Sequence, residues 1–279
     1  MTIFSARTES AGRFLEAAAA RPGKVLLATD FDGTLAPIVE NPDDSRLLPA
    51  AADALARLGP VLGALAIVTG RGVATVRKLG RLEGRPGMER LIVLGQYGAE
   101  RWDAATGEET PPEVPASIAA ARPEVEELLA YARFDGVRLE DKGRALGVHT
   151  RPAPDPVAAY AALRTPLAVI AARHGLILEP GRSVLELRAS SLTKGDALRE
   201  LVRETGASAV AMCGDDLGDL PAFDALDELR AEGLATCAVV AASAEQPALT
   251  QRADVVCEGP DGVAAWLAEL ARAVEPPLS

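Results

Sequence analysis

Three short apolar runs in the first third of the chain constrain its fold more than any other feature. They are VLLAT (residues 25–29), ALAIVT (64–69) and LIVLG (91–95). Each run is too short for a helix, ends in polar or glycine residues, and lacks the alternation of a half-exposed strand. Such runs are typical of strands that helices cover on both faces of a parallel sheet. We therefore predict a buried parallel sheet.

Helical segments separate and follow these strands. PAAADALARLG (residues 49–59) begins with proline, has helical apolar spacing and ends with glycine, which predicts a βαβ unit. The last third has the same rhythm of a helix followed by strands, in KGDALRELVRETG (194–206), SAVAMCG (208–214), CAVVAA (237–242) and ADVVCE (253–258). The fold class is therefore α/β, with a Rossmann-like parallel sheet.

The middle of the chain has a different pattern. After a loop rich in proline and glutamate (residues 107–115), a helical stretch runs to about residue 132, and a second runs from 156 to 174. Each is followed by two strand-like runs across a short turn, which predicts hairpins at VRLED/RALGVHT (137–150) and LILEP/SVLELR (176–188). This αββαββ order indicates an inserted α+β cap domain at 109–189, between core segments 1–108 and 190–279.

Composition narrows the classes of partner. The formal net charge is −11 and the basic residues form no block, which argues against nucleic acid or an anionic membrane as the main partner. No apolar run approaches the roughly 20 residues needed to span a bilayer, and no signal peptide is evident. Cys213, Cys237 and Cys257 lie inside apolar runs, which predicts buried free thiols. We expect a cytoplasmic protein.

The first candidate site follows the first predicted strand. Asp30 and Asp32 stand in the motif DFDGT, where Gly33 allows a sharp turn. One carboxylate can attack phosphorus and form an aspartyl-phosphate, while the other can protonate the leaving oxygen and then activate water. The alternative is an ordinary turn, since Asp and Gly are common there.

Two further strand ends carry groups that suit an anion. Thr69 and Arg71 follow the second strand, where a hydroxyl, backbone N–H groups and a guanidinium can hold a phosphoryl group. Lys194 stands at a predicted helix start, where its ammonium and amide donors could share an anion. Taken alone, Thr-Gly is ordinary loop chemistry and an isolated lysine is usually solvated.

An acidic cluster follows the strand that ends at Cys213. Asp215, Asp216 and Asp219 repel one another unless a cation neutralises them, and hard oxygen ligands select Mg²⁺. The alternative is an acidic loop that caps a helix.

The order DxDGT, Thr, Lys and GDDxxD, each at a strand end, resembles the haloacid dehalogenase superfamily. The resemblance implies that Asp30 is the nucleophile and Asp32 the general acid/base. Thr69 and Lys194 would hold the phosphoryl group. It further implies a Mg²⁺ site whose ligands are Asp30, the carbonyl of Asp32 and Asp215, with Asp219 acting through water and Asp216 supporting the site.

Finer features resemble the trehalose-6-phosphate phosphatases within that superfamily. The stretch DFDGTLAPIV (residues 30–39) is similar to their DYDGTLSPIV. In the cap, Glu140-Asp141-Lys142, His149-Thr150-Arg151 and VLELR (184–188) are similar to their E-N-K, V-H-Y-R and V-L-E-I-R-P segments. By that resemblance Glu140, Lys142, Arg151 and Glu186 would contact sugar hydroxyls. Arg71, which follows the second strand, would add positive charge for the substrate.

The resemblance implies a Mg²⁺-dependent phosphatase that hydrolyses trehalose 6-phosphate. Phosphatases of other sugar or pseudo-disaccharide phosphates, a phosphomutase using the same aspartyl-phosphate, and a catalytically silent sugar-phosphate-binding module stay open as alternatives. We expect a monomer whose partner is its small-molecule substrate, and association with a trehalose-phosphate synthase also stays open.

Overall fold

The structure is a computed structural model that describes residues 3–110, 114–132, 134–181, 183–189, 191–242 and 249–275. The chain divides into two compact units, a core unit (Met1–Thr110 and Leu192–Ser279) and an inserted unit (Pro111–Ser191). The boundaries expected from the sequence, at 108/109 and 189/190, stay predictions of where independently folding domains end.

The strands and helices are numbered along the chain. The strands are β1 (Phe4–Ala6), β2 (Val25–Thr29), β3 (Ala64–Val68), β4 (Leu91–Gly95), β5 (Glu100–Asp103), β6 (Arg138–Asp141), β7 (Ala145–His149), β8 (Ile177–Gly181), β9 (Val184–Arg188), β10 (Ala209–Gly214), β11 (Ala235–Ala242) and β12 (Val255–Glu258). The α-helices are α1 (Glu9–Ala20), α2 (Pro49–Leu58), α3 (Val73–Gly80), α4 (Ala116–Ala132), α5 (Pro156–Arg173), α6 (Lys194–Thr205), α7 (Leu220–Ala231) and α8 (Gly259–Val274).

One mostly parallel sheet organises the core unit. Its strand order is β1-β12-β11-β10-β2-β3-β4-β5, and the six inner strands run parallel while the two edge strands pair antiparallel. The parallel strands predicted from apolar runs are confirmed. The antiparallel edges were not predicted, because β1 and β5 are only three and four residues long and contain no buried run.

Helices cover both faces of this sheet, which is why its inner strands are apolar throughout. One face packs against α1, α2, α3 and α8, with Phe14, Leu55 and Leu267 fully buried there. The other face packs against α6 and α7, where Leu198 and Phe223 are buried. All three cysteines are buried free thiols in the first of these layers, as predicted.

The strand order reverses between β2 and β10, which are parallel neighbours. From β2 the chain continues to β3 on one side, and from β10 it continues to β11 on the other. In open α/β sheets the loops after two such strands diverge, and ligands bind at the carboxyl ends of these strands.

The inserted unit is a four-stranded antiparallel sheet with strand order β6-β7-β9-β8. Its two hairpins match the sequence prediction, and they join through β7 and β9. Helices α4 and α5 pack on one face, against a cluster that includes Leu146, Val148, Leu185 and Leu187. Among the helices that the structure describes in either unit, none is both long enough and apolar enough to cross a membrane.

Candidate active site

Asp30 begins the loop that follows β2, and Gly33 shapes that loop. The backbone turns back so that the N–H groups of Leu35 and Ala36 both donate to the carbonyl of Phe31. Gly33 has φ +70°, and a Cβ added there would lie 2.0 Å from Asp215 Oδ2. Glycine is therefore required twice, for its left-handed conformation and for the close approach of the acidic loop.

Lys194 reaches the same place from the first turn of α6. Thr193 caps this helix, accepting from the N–H of Asp196 while the Asp196 carboxylate accepts from the N–H of Thr193. The buried ammonium of Lys194 lies 2.9 Å from Asp30 Oδ2 and 2.7 Å from Asp219 Oδ1. The capped helix start thus brings one cation between two carboxylates.

The acidic loop after β10 is organised around Asp219. Its Oδ2 accepts from the N–H groups of Asp215 and Asp216 at 2.9 and 3.2 Å. Asp216 Oδ1 in turn accepts from the N–H of Gly218 at 2.8 Å. The carboxylates of Asp216 and Asp219 bind backbone N–H groups, as the helix-capping interpretation predicts. The loop that they fold also places Asp215 next to Asp30, as the metal interpretation requires.

Three of these carboxylates fit a divalent cation. One oxygen each from Asp30, Asp215 and Asp219 lies within 4.8 Å of the others. Lys194 is the only cation in contact with this cluster among the described residues, so two of the three negative charges lack a positive partner. Hard oxygen donors with two excess charges suit a metal such as Mg²⁺.

The pKa values of the cluster follow from this crowding. Burial raises the pKa of Asp30 to about 8, although Lys194 lowers it. Burial also raises the pKa of Asp215 to about 9, and the neighbouring charge of Asp30 adds to the effect. Burial lowers the pKa of Lys194, but Asp219 and Asp30 outweigh it and hold that pKa well above its usual value. The lysine therefore stays charged while the carboxylates lack compensation.

Asp32 lies outside the carboxylate cluster and pairs with Arg71. The guanidinium of Arg71 donates from Nε to Asp32 Oδ2 at 2.5 Å and from Nη2 to Oδ1 at 2.8 Å, and buried Ser45 also donates to Oδ1 at 3.2 Å. Thr69 is buried in the same loop as Arg71, and its Oγ1 accepts from the N–H of Arg71. Arg71, expected to add charge for the substrate, thus contacts the expected general acid/base.

The sequence predicted most of this constellation but missed two groups. The structure brings Asp30, Lys194, Asp215 and Asp219 together, whereas the carboxylates of Asp32 and Asp216 are engaged elsewhere. Ser45, which donates to Asp32, and buried Gln96, whose Nε2 donates to the carbonyl of Gly70 at 3.0 Å, were not singled out as site residues. Gln96 directly follows β4, so the strand-end rule that found Thr69 could also have found it, whereas Ser45 lies in a loop with no such signal.

Polar residues expected at the sugar lie on the sheet face of the inserted unit that is opposite its helices. Glu140, Gly147, Glu186 and Glu179 form one row across four paired strands. Lys142 Nζ lies 2.6 Å from Glu186 Oε2, and His149 Nε2 lies 2.7 Å from Glu140.

Glu186 and Arg151 differ in their surroundings. Glu186 is buried, and its second oxygen, Oε1, has no hydrogen-bond partner among the described residues. Arg151 is exposed in the turn beyond β7, outside the row. The structure therefore groups three of the four residues expected to contact the sugar.

The fold of this chain is shared with solved hydrolase structures. A crystal structure described as a haloacid dehalogenase-like hydrolase from Bacteroides thetaiotaomicron covers 88% of this chain and 98% of its own with a TM-score of 0.60 at 14% identity. The C-terminal domain of Candida albicans trehalose-6-phosphate phosphatase covers 98% and 99% with a TM-score of 0.76 at 20% identity. The core unit thus shares the fold of these two hydrolases, and its buried carboxylates form a cluster that could hold a metal ion.

Sequence similarity identifies the family. The model of the trehalose-phosphatase family matches residues 28–254. A probable trehalose-phosphate phosphatase of Sinorhizobium fredii is 32% identical over 73% of this chain and 74% of its own length. A trehalose-phosphate phosphatase from Mycobacterium bovis is 34% identical over 70% of this chain, and the match spans only 49% of that protein. The chain belongs to the trehalose-phosphatase family and is, by that membership, a phosphoric monoester hydrolase that acts on a sugar phosphate.

Proposed function

We propose that this chain hydrolyses trehalose 6-phosphate to trehalose and phosphate through an aspartyl-phosphate on Asp30. The observation that carries the proposal is the buried constellation of Asp30, Lys194, Asp215 and Asp219 at the point where the strand order reverses. Family membership supplies the substrate.

We assign the core residues the roles that the family resemblance implies, and their positions support this assignment. Asp30 Oδ attacks phosphorus in line and the bond to the sugar oxygen breaks. Asp32 in its protonated form gives a proton to that oxygen, and it regains a proton from the water that hydrolyses the aspartyl-phosphate, so the proton count closes over one turnover. Lys194 stays charged beside Asp30 and offsets the negative charge that the phosphoryl group brings. The Thr69 hydroxyl is available to a phosphoryl oxygen.

We propose Mg²⁺ as the metal, held by Asp30 and Asp215 with the carbonyl of Asp32. When bound, it would offset the charge of the carboxylates and the phosphate and polarise the phosphoryl oxygens. Asp219 and Asp216 support this site by fixing the loop that carries Asp215, since their carboxylates accept from backbone N–H groups.

Sugar recognition is assigned to the polar row of the inserted unit. Glu186 Oε1 is a buried acceptor that no described residue satisfies, and a sugar hydroxyl is a donor that would satisfy it. Lys142 fixes the other oxygen of Glu186, while Glu140 adds a second acceptor across Gly147. Arg151, exposed beyond β7, is proposed to contact the same sugar from the turn.

The setting of the enzyme is also a proposal. Three free thiols suit a reducing compartment, which supports the cytoplasm. We propose that the protein is a monomer. Association with a trehalose-phosphate synthase stays open, and gel filtration of the two proteins together would test it.

The proposed function is tested by phosphate release with Mg²⁺ and with a chelator. The substrates are trehalose 6-phosphate, sucrose 6-phosphate, glucose 6-phosphate and p-nitrophenyl phosphate. We expect a strong preference for the trehalose ester that the chelator abolishes. Activity on the aryl phosphate alone would support the core mechanism but reject the substrate. Absence of metal-dependent release from all four would reject the enzyme and favour a silent binding module.

A further inference from the structure

Two successive residues after β4 adopt a backbone conformation that is rare for residues other than glycine. Gln96 has φ +49° and Tyr97 has φ +61°. The left-handed region is unfavourable for residues other than glycine, and such strain persists only where surrounding contacts enforce it. Among the described non-glycine residues, only Arg81 and Ser183 also have positive φ, and neither is next to the candidate site in sequence. The contacts of Gln96 and Tyr97 explain their conformation.

These contacts hold the loop that carries Arg71. Three successive carbonyls of that loop each accept a hydrogen bond from the pair. The N–H of Tyr97 donates to Thr69 at 2.9 Å, Gln96 Nε2 donates to Gly70 at 3.0 Å, and the N–H of Gln96 donates to Arg71 at 2.9 Å. Gln96 is itself buried, so its amide is held in place.

The fit at Gly70 shows how closely the two loops pack. A Cβ added to Gly70 would lie 2.9 Å from the hydroxyl oxygen of Tyr97 and 3.0 Å from its ring. Real Cβ atoms rarely approach other atoms this closely, so the Tyr97 side chain lies directly against the backbone of Gly70, in space that a side chain at residue 70 would need. Movement away from Tyr97 would break the hydrogen bonds to Gln96. The three hydrogen bonds and this contact therefore hold residues 69–71 against Gln96 and Tyr97.

The next link runs from this loop to Asp32. Arg71 binds both carboxylate oxygens of Asp32, a bidentate geometry that specifies direction as well as distance. We propose that Gln96 is a positioning residue: by holding the 69–71 loop it directs Arg71, which in turn aims the carboxyl group of Asp32 at the leaving oxygen. This inference rests on the proposed function, in which Asp32 is the general acid/base.

The proposal has a consequence that depends on the leaving group. A sugar alkoxide must receive the proton of Asp32 as the phosphorus–oxygen bond breaks, whereas p-nitrophenolate is stable as an anion and leaves without it. An incorrect orientation of the Asp32 carboxyl group therefore slows phosphoryl transfer from a sugar phosphate more than transfer from the aryl phosphate. The ratio kcat/KM isolates this step, because it ends at the first irreversible event and omits hydrolysis of the aspartyl-phosphate.

The test is Gln96→Met, which keeps the length and the unbranched shape of the side chain and removes only the amide. We expect kcat/KM for trehalose 6-phosphate to fall about tenfold, since one hydrogen bond is lost and the acid moves out of line. For p-nitrophenyl phosphate we expect a fall of less than about twofold. Arg71→Lys, which loses the bidentate contact, should give the same split between the two substrates.

A control separates positioning from general destabilisation. Leu58→Ala removes a fully buried side chain of α2 and lowers the Tm of the core unit without touching either loop. At a temperature where this variant is folded, it should change kcat/KM for both substrates equally. Equal losses on both substrates in Gln96→Met, or no loss at all, would overturn the positioning role. A wild-type enzyme inactive on every phosphate ester would instead reject the proposed function itself.

Discussion

The carboxylates of the core site lower the stability of the folded protein when no metal is bound. Asp30 and Asp215 are buried beside Asp219, and Lys194 provides one positive charge for three negative ones. Without a metal, each ionised carboxylate in this cluster costs free energy, as the raised pKa values of Asp30 and Asp215 indicate. Residues kept for function commonly reduce stability in this way.

Asp30→Asn separates the two effects. The amide cannot form an acyl phosphate, so we expect turnover to fall by more than about 10³-fold. The amide also carries no charge, so it needs no proton to be buried, whereas burial raises the pKa of Asp30 to about 8. In chelator at neutral pH the Tm of the variant should therefore equal or exceed that of the wild type. Calorimetry and phosphate release check the two halves, and substantial retained activity would reject Asp30 as the nucleophile.

Secondary-structure elements explain what the sequence could reveal. The strands β2, β3, β4 and β10 are continuous apolar runs, so they and the polar residues at their ends could be predicted. Contacts between loops could not. The pairing of Arg71 with Asp32 joins residues 39 positions apart in the chain and depends on how β2 and β3 lie side by side. No local pattern carries that information.

The cross-strand row of the inserted unit makes a prediction about selectivity. Glu186→Ala should lower kcat/KM for trehalose 6-phosphate by at least about tenfold, because sugar hydroxyls lose a buried acceptor. Activity on p-nitrophenyl phosphate should change by less than about threefold, since that substrate has no sugar hydroxyls. Glu127→Ala is the matched control, because Glu127 is exposed on α4, on the opposite side of the same unit from the row, and its loss should alter neither activity. Equal losses on both substrates would contradict the assignment of Glu186 to the sugar.

At the scale of the whole molecule, strand order determines which motifs meet. Asp30 and Asp215 are 185 positions apart, yet they lie together because β10 pairs on one side with β2, which is distant in sequence, and on the other with β11. The sequence indicated that all motifs follow strands, which was enough to expect one site at one sheet edge. It did not give the order of the strands, because inner parallel strands are equally apolar and their pairing depends on the packing of both helical layers.

The same packing predicts that the buried thiols of the core unit become accessible to solvent only when the whole unit unfolds. Cys213, Cys237 and Cys257 lie on three neighbouring strands and are all buried. Burial raises the pKa of all three thiols, that of Cys257 to about 12, so the reactive thiolate is scarce as well as inaccessible. We expect no reaction of the native protein with a disulfide reagent such as dithionitrobenzoate over many minutes. In guanidinium we expect the release of three equivalents of thionitrobenzoate, one for each thiol. The rate in intermediate denaturant should follow global unfolding measured by circular dichroism. A thiol that reacts rapidly in the native protein would show that β10, β11 or β12 opens locally, which would contradict a core unit that unfolds as one cooperative body.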